Sequence, residues 1–523
     1  MSAARLSHQT LAALPDTVAR PVYAAAGLTT GIVHLGLGAF ARAHLASYTD
    51  PLLADDPSWG ILGVSLRSPA VRDALAPQDW LYLRAERDGA GEKLRVMGPL
   101  TGALVAPDDP AAVVARCTDA AVRIVTISVS EKGYHRRAAD GALDEADPAI
   151  LHDIAHPGSP LTVPGIIVAA LRARRDAGLP SFTVLCCDNL PENGHSTRGV
   201  IVRFAELLSP ELARYIANNV AFPNSMVDRI VPATTDADKS VIAAKAGVTD
   251  AWPVICEPFT QWVIEDRFPQ GRPAWGRTGA TMADDVRPYE IMKLRLLNGS
   301  HSAIAYLGQL AGLPTVADAM NEPGIAHFVS RLMSEAATTL HMPGSVDLTA
   351  YCQALIERFC NPALKHRTAQ IAMDGSQKLP MRIFATAQDR IARGQPAPCM
   401  ALVTAAWLRF LKQQDDNGSP LTVDDPNKDR LLQAARNADT PQSLLTSIFA
   451  MTDIVPATLA QSEAFESDVL DALTMLWTSG AKSTLANFKN RGEKHEAHED
   501  DTDGVLHAGR LAAGVRAGST RAG

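Results

Sequence analysis

The chain has 523 residues, of which 46% are hydrophobic and 20% charged, and its formal net charge is −8 at pH 7. This length and ordinary globular composition predict two or three domains with large cores. The acidic balance, and the lack of a basic run with interleaved aromatic residues, argue against a nucleic-acid partner. No apolar run approaches the ~18 residues of a membrane span, and the first residues lack the long apolar core of a signal peptide.

Cysteine usage points to a reducing compartment. The seven cysteines are odd in number and include no C-x-x-C pair; they are Cys117, Cys186, Cys187, Cys256, Cys352, Cys360 and Cys399. We therefore expect free thiols in a cytoplasmic protein. The sequence has neither an H-E-x-x-H motif nor a Cys/His cluster at zinc spacing, so its chemistry is predicted to be metal-independent.

The first motif is a strand, a glycine turn and a helix near the N-terminus. Ile32 to Leu35 is a short apolar run typical of a buried strand, and helical periodicity begins at Phe40. Between them lies Gly36-x-Gly38-x-x-Ala41, an arrangement that lets backbone approach a pyrophosphate. The alternative is a pair of glycines that end a buried strand by chance. The predicted cofactor-binding residues of this loop are Gly36, Gly38, Ala39 and Phe40.

The second predicted strand, Gly60 to Leu66, bears on the choice of cofactor. An Asp or Glu at the end of this strand normally holds the adenosine ribose, but Arg67-Ser68-Pro69 follows here. Arg67 is compatible with a 2′-phosphate, so the prediction is NAD with NADP as an alternative. A stacking contact between Arg67 and the adenine would say nothing about the phosphate.

Further strands deliver polar residues to the same edge of a sheet. A β-branched strand at 123–129 leads to Glu131, and a strand at 182–187 leads to Asn189, which could also be a simple turn residue. A hairpin is predicted at 82–96, with its turn at Asp88-Gly89. Strands alternate with helices to about residue 230, which predicts an α/β fold with a doubly wound, Rossmann-type sheet.

The second half of the chain changes character. A loop at 222–230 leads to a strand and carries Asp228 beside Arg229, where a salt-bridged structural carboxylate is the alternative to a functional one. Residues 252–275 hold three of the seven tryptophans and four prolines, which suggests a junction between domains. After this segment the periodicity predicts helices at 289–311, 324–340, 347–360, 380–393, 399–413, 428–437, 442–449 and 463–478.

These patterns predict three parts. Residues 1–283 are the expected dinucleotide-binding domain and 284–488 a mainly helical substrate domain. Residues 489–523 are charged and then rich in Gly and Ala, without a sustained apolar period, which predicts a disordered tail.

One apolar helix, at 289–308, carries three polar residues of interest. Lys293 and His301 are eight positions apart and fall on one side of the helix, whereas Asn298 lies some 140° from Lys293 in α-helical geometry. Asn298-Gly299 is a poor helix dipeptide, and a local distortion there would bring all three residues to one pocket. A satisfied buried network with a snorkelling lysine is the alternative.

Several strings together resemble the polyol-specific long-chain dehydrogenases, which include mannitol 2-dehydrogenase, fructuronate reductase and arabinitol 4-dehydrogenase. The strings lie between about residues 25 and 485 and are GLGAFARAH, SEKGY, CDNLPENG, FPNSMVDRI, CEPFTQWVIED, GRPAW and KLRLLNGSH. The chain departs from the family at Ala41, where a histidine is common, and in lacking the acidic ribose-binding residue after Leu66.

The resemblance implies a Rossmann-type domain, a helical second domain and metal-independent catalysis. It places the catalytic lysine at Lys293, the paired asparagines at Asn189 and Asn298, and the motif histidine at His301. It also matches Asp228 to the aspartate of the family's FPN-x-MVDR string, and Asp228 and Glu131 are predicted to bind the cofactor. A partly desolvated lysine can act as general base on an alcohol, while two amides donate to the oxygen on which charge develops.

The resemblance leaves the substrate open. Residues 361–380 look more like the fructuronate reductases, which favours D-fructuronate and D-mannonate; Lys378, in a predicted loop at 374–380, would pair with the substrate carboxylate. The alternatives are mannitol 2-dehydrogenase or arabinitol dehydrogenase activity, or a nucleotide-binding sensor without turnover. Tyr289-x-x-x-Lys293 also matches short-chain dehydrogenases, but the chain lacks their G-x-x-x-G-x-G. The sequence does not predict the oligomeric state.

Overall fold

The computed structural model describes residues 4–137 and 140–499, with side chains placed through residue 488. The chain forms two compact units. Among the described residues, the first unit contains those up to His301, Thr315–Asp318 and Met333–Gln370. The second contains Ser302–Pro314, Ala319–Leu332 and the described residues from Ile371 onward. This division follows spatial contacts, so the domain boundary at residue 283 stays a prediction.

The strands of the described chain all lie before residue 284. In chain order they are β1 Val18–Ala19, β2 Thr30–Leu35, β3 Gly60–Ser65, β4 Tyr82–Asp88, β5 Gly91–Met97, β6 Leu100–Val105, β7 Ile124–Ile127, β8 Thr183–Cys186, β9 Ser225–Asp228, β10 Val254–Cys256, β11 Gln261–Glu265 and β12 Thr281–Ala283.

The α-helices are spread over the whole described chain. Those before residue 300 are α1 Ala39–Ala43, α2 Leu45–Thr49, α3 Ala70–Leu75, α4 Pro110–Thr118, α5 Pro148–Ala155, α6 Val163–Asp176, α7 Asn193–Leu208, α8 Pro210–Asn219, α9 Asp236–Ala246, α10 Arg287–Met292 and α11 Gly299–Leu310. The later ones are α12 Val316–Met320, α13 Pro323–Ala337, α14 Leu348–Phe359, α15 Thr368–Ile371, α16 Gly375–Leu379, α17 Ala385–Ala392, α18 Pro398–Phe410, α19 Lys428–Asn437, α20 Pro441–Phe449, α21 Ala457–Ala460 and α22 Glu463–Glu499.

The central sheet of the first unit has five parallel strands in the order β6-β3-β2-β7-β8. Leu35 pairs with both Val64 and Ile127, and Ile127 pairs with Cys186, so the carboxyl ends of four strands meet at one edge. The predicted Rossmann-type sheet is confirmed. The order of the strands creates a switch point between β2 and β7, the position at which such sheets bind ligands.

Alternation along the strands separates the core into two faces. In β2, Ile32 belongs to one hydrophobic cluster and Val33 to the other, which also includes the buried side chains of α6 and α7. Since successive side chains of a strand point to opposite faces, this fully buried sheet needs apolar residues at nearly every position. Strand β6 was not predicted from the sequence, since its short segment contains Gly102.

Two smaller sheets complete the first unit. The predicted hairpin is confirmed as β4 and β5, which pair antiparallel and join β1 and β10. The third sheet has the order β12-β11-β9. The junction between domains at 252–275 stays a prediction. The segment contains regular strands, since its prolines flank β10 and β11 rather than interrupt them.

All eight helical segments predicted after residue 284 are helical in the structure. The last helix, α22, contains one non-helical residue, Gly480, and includes positions 489–499 of the predicted disordered tail. The remaining tail, 500–523, lies outside the described residues. Among the described residues no helix is long and apolar enough to cross a membrane. All seven cysteines are free thiols.

Candidate active site

The glycine turn after β2 has the geometry expected of a nucleotide-binding loop. Gly36 has φ of +100°, and a Cβ atom there would lie 2.0 Å from the Ser128 carbonyl oxygen, so only glycine fits. At Gly38, the nearest atom to an added Cβ would be the Gly36 oxygen, 3.8 Å away, which leaves room for a ligand to approach the backbone. Helix α1 begins directly after Gly38, at Ala39. These features fit a dinucleotide phosphate.

A buried histidine, His34, forms a hydrogen bond with the backbone of this turn. His34 Nε2 lies 3.1 Å from the Gly36 oxygen, and Nδ1 lies 2.8 Å from Thr126 Oγ1. A carbonyl only accepts, so Nε2 donates to Gly36 and Nδ1 accepts from the Thr126 hydroxyl. Burial lowers the pKa of His34 to about 4, which keeps the ring neutral. This hydrogen bond was not predicted from the sequence.

The other residues predicted to bind cofactor lie around the same sheet edge. Arg67 is exposed two residues after β3 ends, and Ser68 Oγ accepts from the Ala70 amide. Glu131 is exposed and begins a short 3₁₀-helix beyond β7. Neither the contact of Arg67 nor that of Glu131 with a cofactor is tested by the structure.

The loop after β8 holds Asn189 in place through its neighbours. Asp188 Oδ2 accepts hydrogen bonds from the Val129 amide at 2.9 Å and from the Tyr134 hydroxyl at 2.5 Å. Asn193 is fully buried, and its Nδ2 donates to the carbonyls of Cys186, Asp188 and Ser225. The loop is thus fixed on both sides of Asn189, and a fixed backbone restricts where the Asn189 amide can point.

The predicted distortion near Lys293 is confirmed as a π-turn. Residues Lys293–Asn298 form a π-helix between α10 and α11, and the Gly299 amide donates to the Leu294 carbonyl five residues earlier. In this geometry residues five apart lie on the same side of the helix, whereas an α-helix would separate them by about 140°. The π-turn therefore brings positions 293 and 298 to a common side.

Lys293 is buried, with 8% of its surface exposed, and it reaches Asn189. Its Nζ donates to Asn189 Oδ1 at 2.6 Å and to the Val227 carbonyl at 2.6 Å. Since Oδ1 accepts from the lysine, the Nδ2 donors of Asn189 are directed elsewhere, and they make no hydrogen bond within the described residues. Asn189 and Lys293, 104 positions apart in the sequence, are thus in direct contact, as predicted for two residues of one site.

Next to Lys293 lies a buried ion-pair network centred on Arg358. The Arg358 guanidinium donates to both oxygens of Asp228, at 2.6 and 2.9 Å, and its Nε donates to Glu257 at 2.8 Å. All three side chains are at most 7% exposed. The salt bridge considered as the alternative for Asp228 is present, and its partner is Arg358 rather than the adjacent Arg229. Arg229 pairs with Glu86.

The network separates the pKa values of its two carboxyl groups. Burial acts to raise the pKa of Asp228, but the charges of Arg358 and Lys293 outweigh it and hold that pKa below its usual value. Burial raises the pKa of Glu257 to about 7, although Arg358 opposes the shift. Asp228 is therefore an anion beside Lys293, whereas Glu257 titrates near neutrality. The predicted contact of Asp228 with the cofactor stays a prediction.

His301 follows the π-turn and lies among aromatic rings. Its ring centroid is 4.7 Å from that of Phe359 and 5.2 Å from that of His366, which it meets edge-on. His301 and Asn298 are both half-buried. Asn298 ends the π-turn that begins at Lys293, and His301 lies directly after it in α11. The contacts of both residues with a substrate stay predictions.

A second histidine near this region was not selected from the sequence. His44 is fully buried, stacks on Phe40 with centroids 4.8 Å apart, and donates from Nε2 to the Gln261 carbonyl at 3.0 Å. Burial lowers its pKa to about 3, and the charge of Arg229 acts in the same direction. Phe40 therefore has a packing role in addition to its predicted place in the nucleotide loop.

Lys378 belongs to the second compact unit. The prediction of a loop at 374–380 was wrong for most of this segment, which forms the short helix α16 from Gly375. Asp374, directly before the helix, adopts a left-handed backbone conformation. Lys378 Nζ donates to the Met373 carbonyl at 2.7 Å and lies 3.4 Å from Asp374 Oδ2. Burial and the charge of Arg382 lower the pKa of Lys378. These contacts are those of a lysine that stabilises its own turn, and its substrate role stays a prediction.

Comparison with known proteins decides the family. The model of the mannitol dehydrogenase Rossmann domain matches residues 30–277, and that of the mannitol dehydrogenase C-terminal domain matches residues 285–477. The chain belongs to the mannitol dehydrogenase family. No described group of three or more His, Cys, Asp or Glu side chains is placed to hold a metal ion.

Relatives within this family match nearly the full chain. D-mannonate oxidoreductase of Escherichia coli (strain K12) is 42% identical over 478 residues, covering 90% of this chain and 98% of that protein. Mannitol 2-dehydrogenase of Cereibacter sphaeroides is 42% identical over 479 residues, covering 90% and 99%. The structure of Pseudomonas fluorescens mannitol 2-dehydrogenase in ternary complex with NAD and D-mannitol is 39% identical, with a TM-score of 0.78 over 93% of this chain and 100% of that chain.

Proposed function

We propose that this protein is a metal-independent oxidoreductase that interconverts a secondary alcohol and a ketone of a sugar acid or polyol, with NAD as cofactor. The observation that carries the proposal is the buried Lys293 ammonium held by Asn189 and the Val227 carbonyl. Family membership supports it, because the relatives named above are oxidoreductases of such substrates.

Lys293 is the proposed general acid and base. In alcohol oxidation its neutral amine takes the hydroxyl proton, and in ketone reduction its ammonium returns the proton to the oxygen. Its burial disfavours the charged form, while Asn189 and Val227 fix the direction in which Nζ points. Asp228 is an anion beside it, because the charges of Arg358 and Lys293 keep that carboxylate ionised.

Asn189 and Asn298 are the proposed donors to the substrate oxygen. The hydrogen bond from Lys293 to Asn189 Oδ1 leaves Asn189 Nδ2 to donate, and the π-turn presents position 298 on the side of Lys293. Donors fixed before the reaction stabilise the negative charge that develops on oxygen without further reorganisation. His301, three residues after Asn298 in α11, is proposed to orient a neighbouring hydroxyl.

The residues around the β2 turn fit a nicotinamide dinucleotide, which supplies the hydride acceptor or donor when bound. Gly36 and Gly38 provide the phosphate approach, with Ala39 and Phe40 at the start of α1. Because Arg67 follows β3 where NAD-selective proteins place a carboxylate, we propose that NADP is also accepted. The structure of a relative with NAD supports NAD as the principal cofactor.

The proposed substrate pair is D-mannonate and D-fructuronate. Equal identity to a D-mannonate oxidoreductase and to a mannitol 2-dehydrogenase leaves the preference to a few side chains. A substrate carboxylate needs a cation, and Lys378 is proposed to supply it. D-mannitol and D-fructose, or an arabinitol, form the second candidate substrate class.

Kinetics with both substrate classes test this proposal. We expect a higher kcat/KM for fructuronate than for fructose, and Lys378→Met should reduce activity with fructuronate selectively. Equal loss with both substrates would contradict the carboxylate contact, and a preference for fructose would favour mannitol 2-dehydrogenase activity. Binding of the nicotinamide cofactor without turnover of any ketose would contradict the enzymatic function and indicate a sensor.

The arrangement of the chain supports two further proposals. We propose a dinucleotide-binding domain at 1–283 and a substrate domain at 284–488, in line with the ranges of the two family models. A cytoplasmic location is proposed from the free thiols.

A further inference from the structure

Two buried polar atoms near the Arg358 network have no hydrogen-bond partner in the described structure. They are the Tyr351 hydroxyl and Nδ1 of His366. Both come from the segment between the start of α14 and the start of α15, which belongs to the same compact unit as Lys293. Buried polar groups in native proteins are rarely unsatisfied, so each needs a partner from solvent or from a ligand.

The first of these atoms lies close to the proposed catalytic centre. Tyr351 and Arg358 are seven residues apart in α14 and therefore share one face of that helix. Arg358 donates to Asp228, so α14 presents Tyr351 on the side of the Arg358–Asp228 pair. Burial raises the pKa of Tyr351, and the negative charge of Asp228 raises it further. The hydroxyl stays protonated and can both donate and accept.

The second atom lies beside His301. The His366 ring meets the His301 ring edge-on, with centroids 5.2 Å apart. Burial lowers the pKa of His366, and the charge of Arg358 lowers it further, so its imidazole is neutral near pH 7. A neutral imidazole offers one donor and one acceptor nitrogen, and Nδ1 can fill either role according to the tautomer.

The two atoms match the chemistry of a polyhydroxylated substrate. Every hydroxyl of a sugar acid or polyol must find a hydrogen-bond partner when it leaves water. Lys293, Asn189 and Asn298 are assigned to the reacting oxygen, so other hydroxyls of the substrate need other groups. Tyr351 lies on the face of α14 that carries Arg358, the partner of Asp228, and the His366 ring contacts the His301 ring.

We propose that Tyr351 and His366 are substrate-binding residues that each exchange a hydrogen bond with a non-reacting hydroxyl of the substrate. The inference rests on the proposed function, and it adds a specificity element to it. A substrate lacking the matching hydroxyl would leave the buried atom without its partner, and binding would weaken.

Kinetics of near-isosteric variants test this inference. Tyr351→Phe removes one oxygen and little packing volume. His366→Leu removes both nitrogens, whereas His366→Asn retains a polar atom near the position of Nδ1. For the ketose that the wild type reduces best, we expect Tyr351→Phe and His366→Leu each to raise KM roughly 3–10-fold with little change in kcat, and His366→Asn to restore part of the loss.

Monodeoxy analogues of the same ketose identify the contact. If Tyr351 binds one substrate hydroxyl, removing that hydroxyl from the ketose should not raise the KM of Tyr351→Phe any further. The effects of the substitution and of the missing hydroxyl on KM are then not additive. Thr183→Val is a matched control, since Thr183 Oγ1 is also buried without a partner but lies at the first residue of β8. It should leave KM unchanged. Thermal unfolding of each variant checks that the fold is retained.

Unchanged KM in Tyr351→Phe and His366→Leu, or additive losses with every deoxy analogue, would overturn the inference and indicate ordered water at both atoms. A wild type that reduces no ketose would instead contradict the proposed function. The two failures are therefore distinguishable.

Discussion

Replacement of Arg358 by methionine should destabilise the first compact unit strongly. Arg358 is the common partner of Asp228 and Glu257, and its guanidinium also lies 4.6 Å from the centre of the Phe259 ring. Methionine keeps most of the apolar stem and removes the charge. Two buried carboxyl groups then lose the cation that offsets their desolvation.

The size of the effect follows from the burial of all three groups. Asp228 is 7%, Glu257 1% and Arg358 6% exposed, so solvent cannot replace the lost hydrogen bonds. Removal of one partner from a buried ion pair typically costs about 3–5 kcal/mol. For a unit of this size such a loss lowers Tm on the order of 5–10 °C.

The matched control is another arginine that bridges two carboxylates, on the surface. Arg203 contacts Glu145 at 2.8 Å and Glu206 at 2.6 Å, and all three side chains are substantially exposed. Because exposed ion pairs are screened and hydrated, Arg203→Met should leave Tm almost unchanged. Thermal unfolding of the wild type and both variants, followed by tryptophan fluorescence, measures the difference.

The pH dependence of the Arg358→Met variant has a definite sign. Without Arg358, the pKa of Glu257, already raised to about 7 by burial, rises further above its unfolded value. A carboxyl group with a raised folded pKa contributes stability at low pH that is lost as pH rises through that pKa. The deficit in Tm should be smaller near pH 5.5 than near pH 8.5, and Glu257→Gln should reduce it at the higher pH.

Equal destabilisation by Arg358→Met and Arg203→Met would refute this reasoning, since burial would then not determine the strength of the pair. A deficit that grows as pH falls would also refute it, because the carboxylates would not be the source of the instability.

Two further substitutions and a comparison of cofactors test the remaining parts of the site. Asn189→Ala should raise the activation barrier of ketose reduction by about 2.7–4 kcal/mol. Its Tm should change little, since the Asn189 side chain is exposed. The measurement is kcat at saturating ketose, and an unchanged kcat would exclude Asn189 as a donor. Gly36→Ala should weaken cofactor binding and lower Tm, because the added Cβ would lie 2.0 Å from the Ser128 oxygen. The control is Gly199→Ala, in α7 with open space around it, which should be neutral or should stabilise the fold by up to about 1 kcal/mol. Steady-state kinetics should show weak discrimination between NAD and NADP; a preference for NAD of many thousandfold would mean that an acidic residue other than one after β3 reaches the ribose.

Local patterns in the sequence predicted most elements of the fold. The apolar run Ile32 to Leu35 and the β-branched run before Ser128 became central strands, since fully buried parallel strands need apolar residues on both faces. Helical periodicity gave each long helix after residue 284. The segment at 100–105 was missed because it is short and includes a glycine, and it forms a strand only through pairing with β3.

The site was harder to predict, because its contacts join distant positions. Asp228 and Arg358 are 130 residues apart, so the sequence offered only the adjacent Arg229 as a partner. Asn193 and His34 act through backbone groups, which leaves no pairing signal in side-chain types. Asn189 and Lys293 were linked through the family resemblance, whereas the distortion beside Gly299 followed from local helix propensity.

The central claim is that Lys293 transfers the proton during hydride transfer. The most direct measurement compares kcat for ketose reduction in the wild type and in Lys293→Ala, with cofactor affinity measured separately by nicotinamide fluorescence. We expect kcat to fall roughly 10²–10⁴-fold, cofactor affinity to change little, and a small primary amine in solution to restore part of the activity. Near-normal turnover in a folded Lys293→Ala protein would contradict the claim.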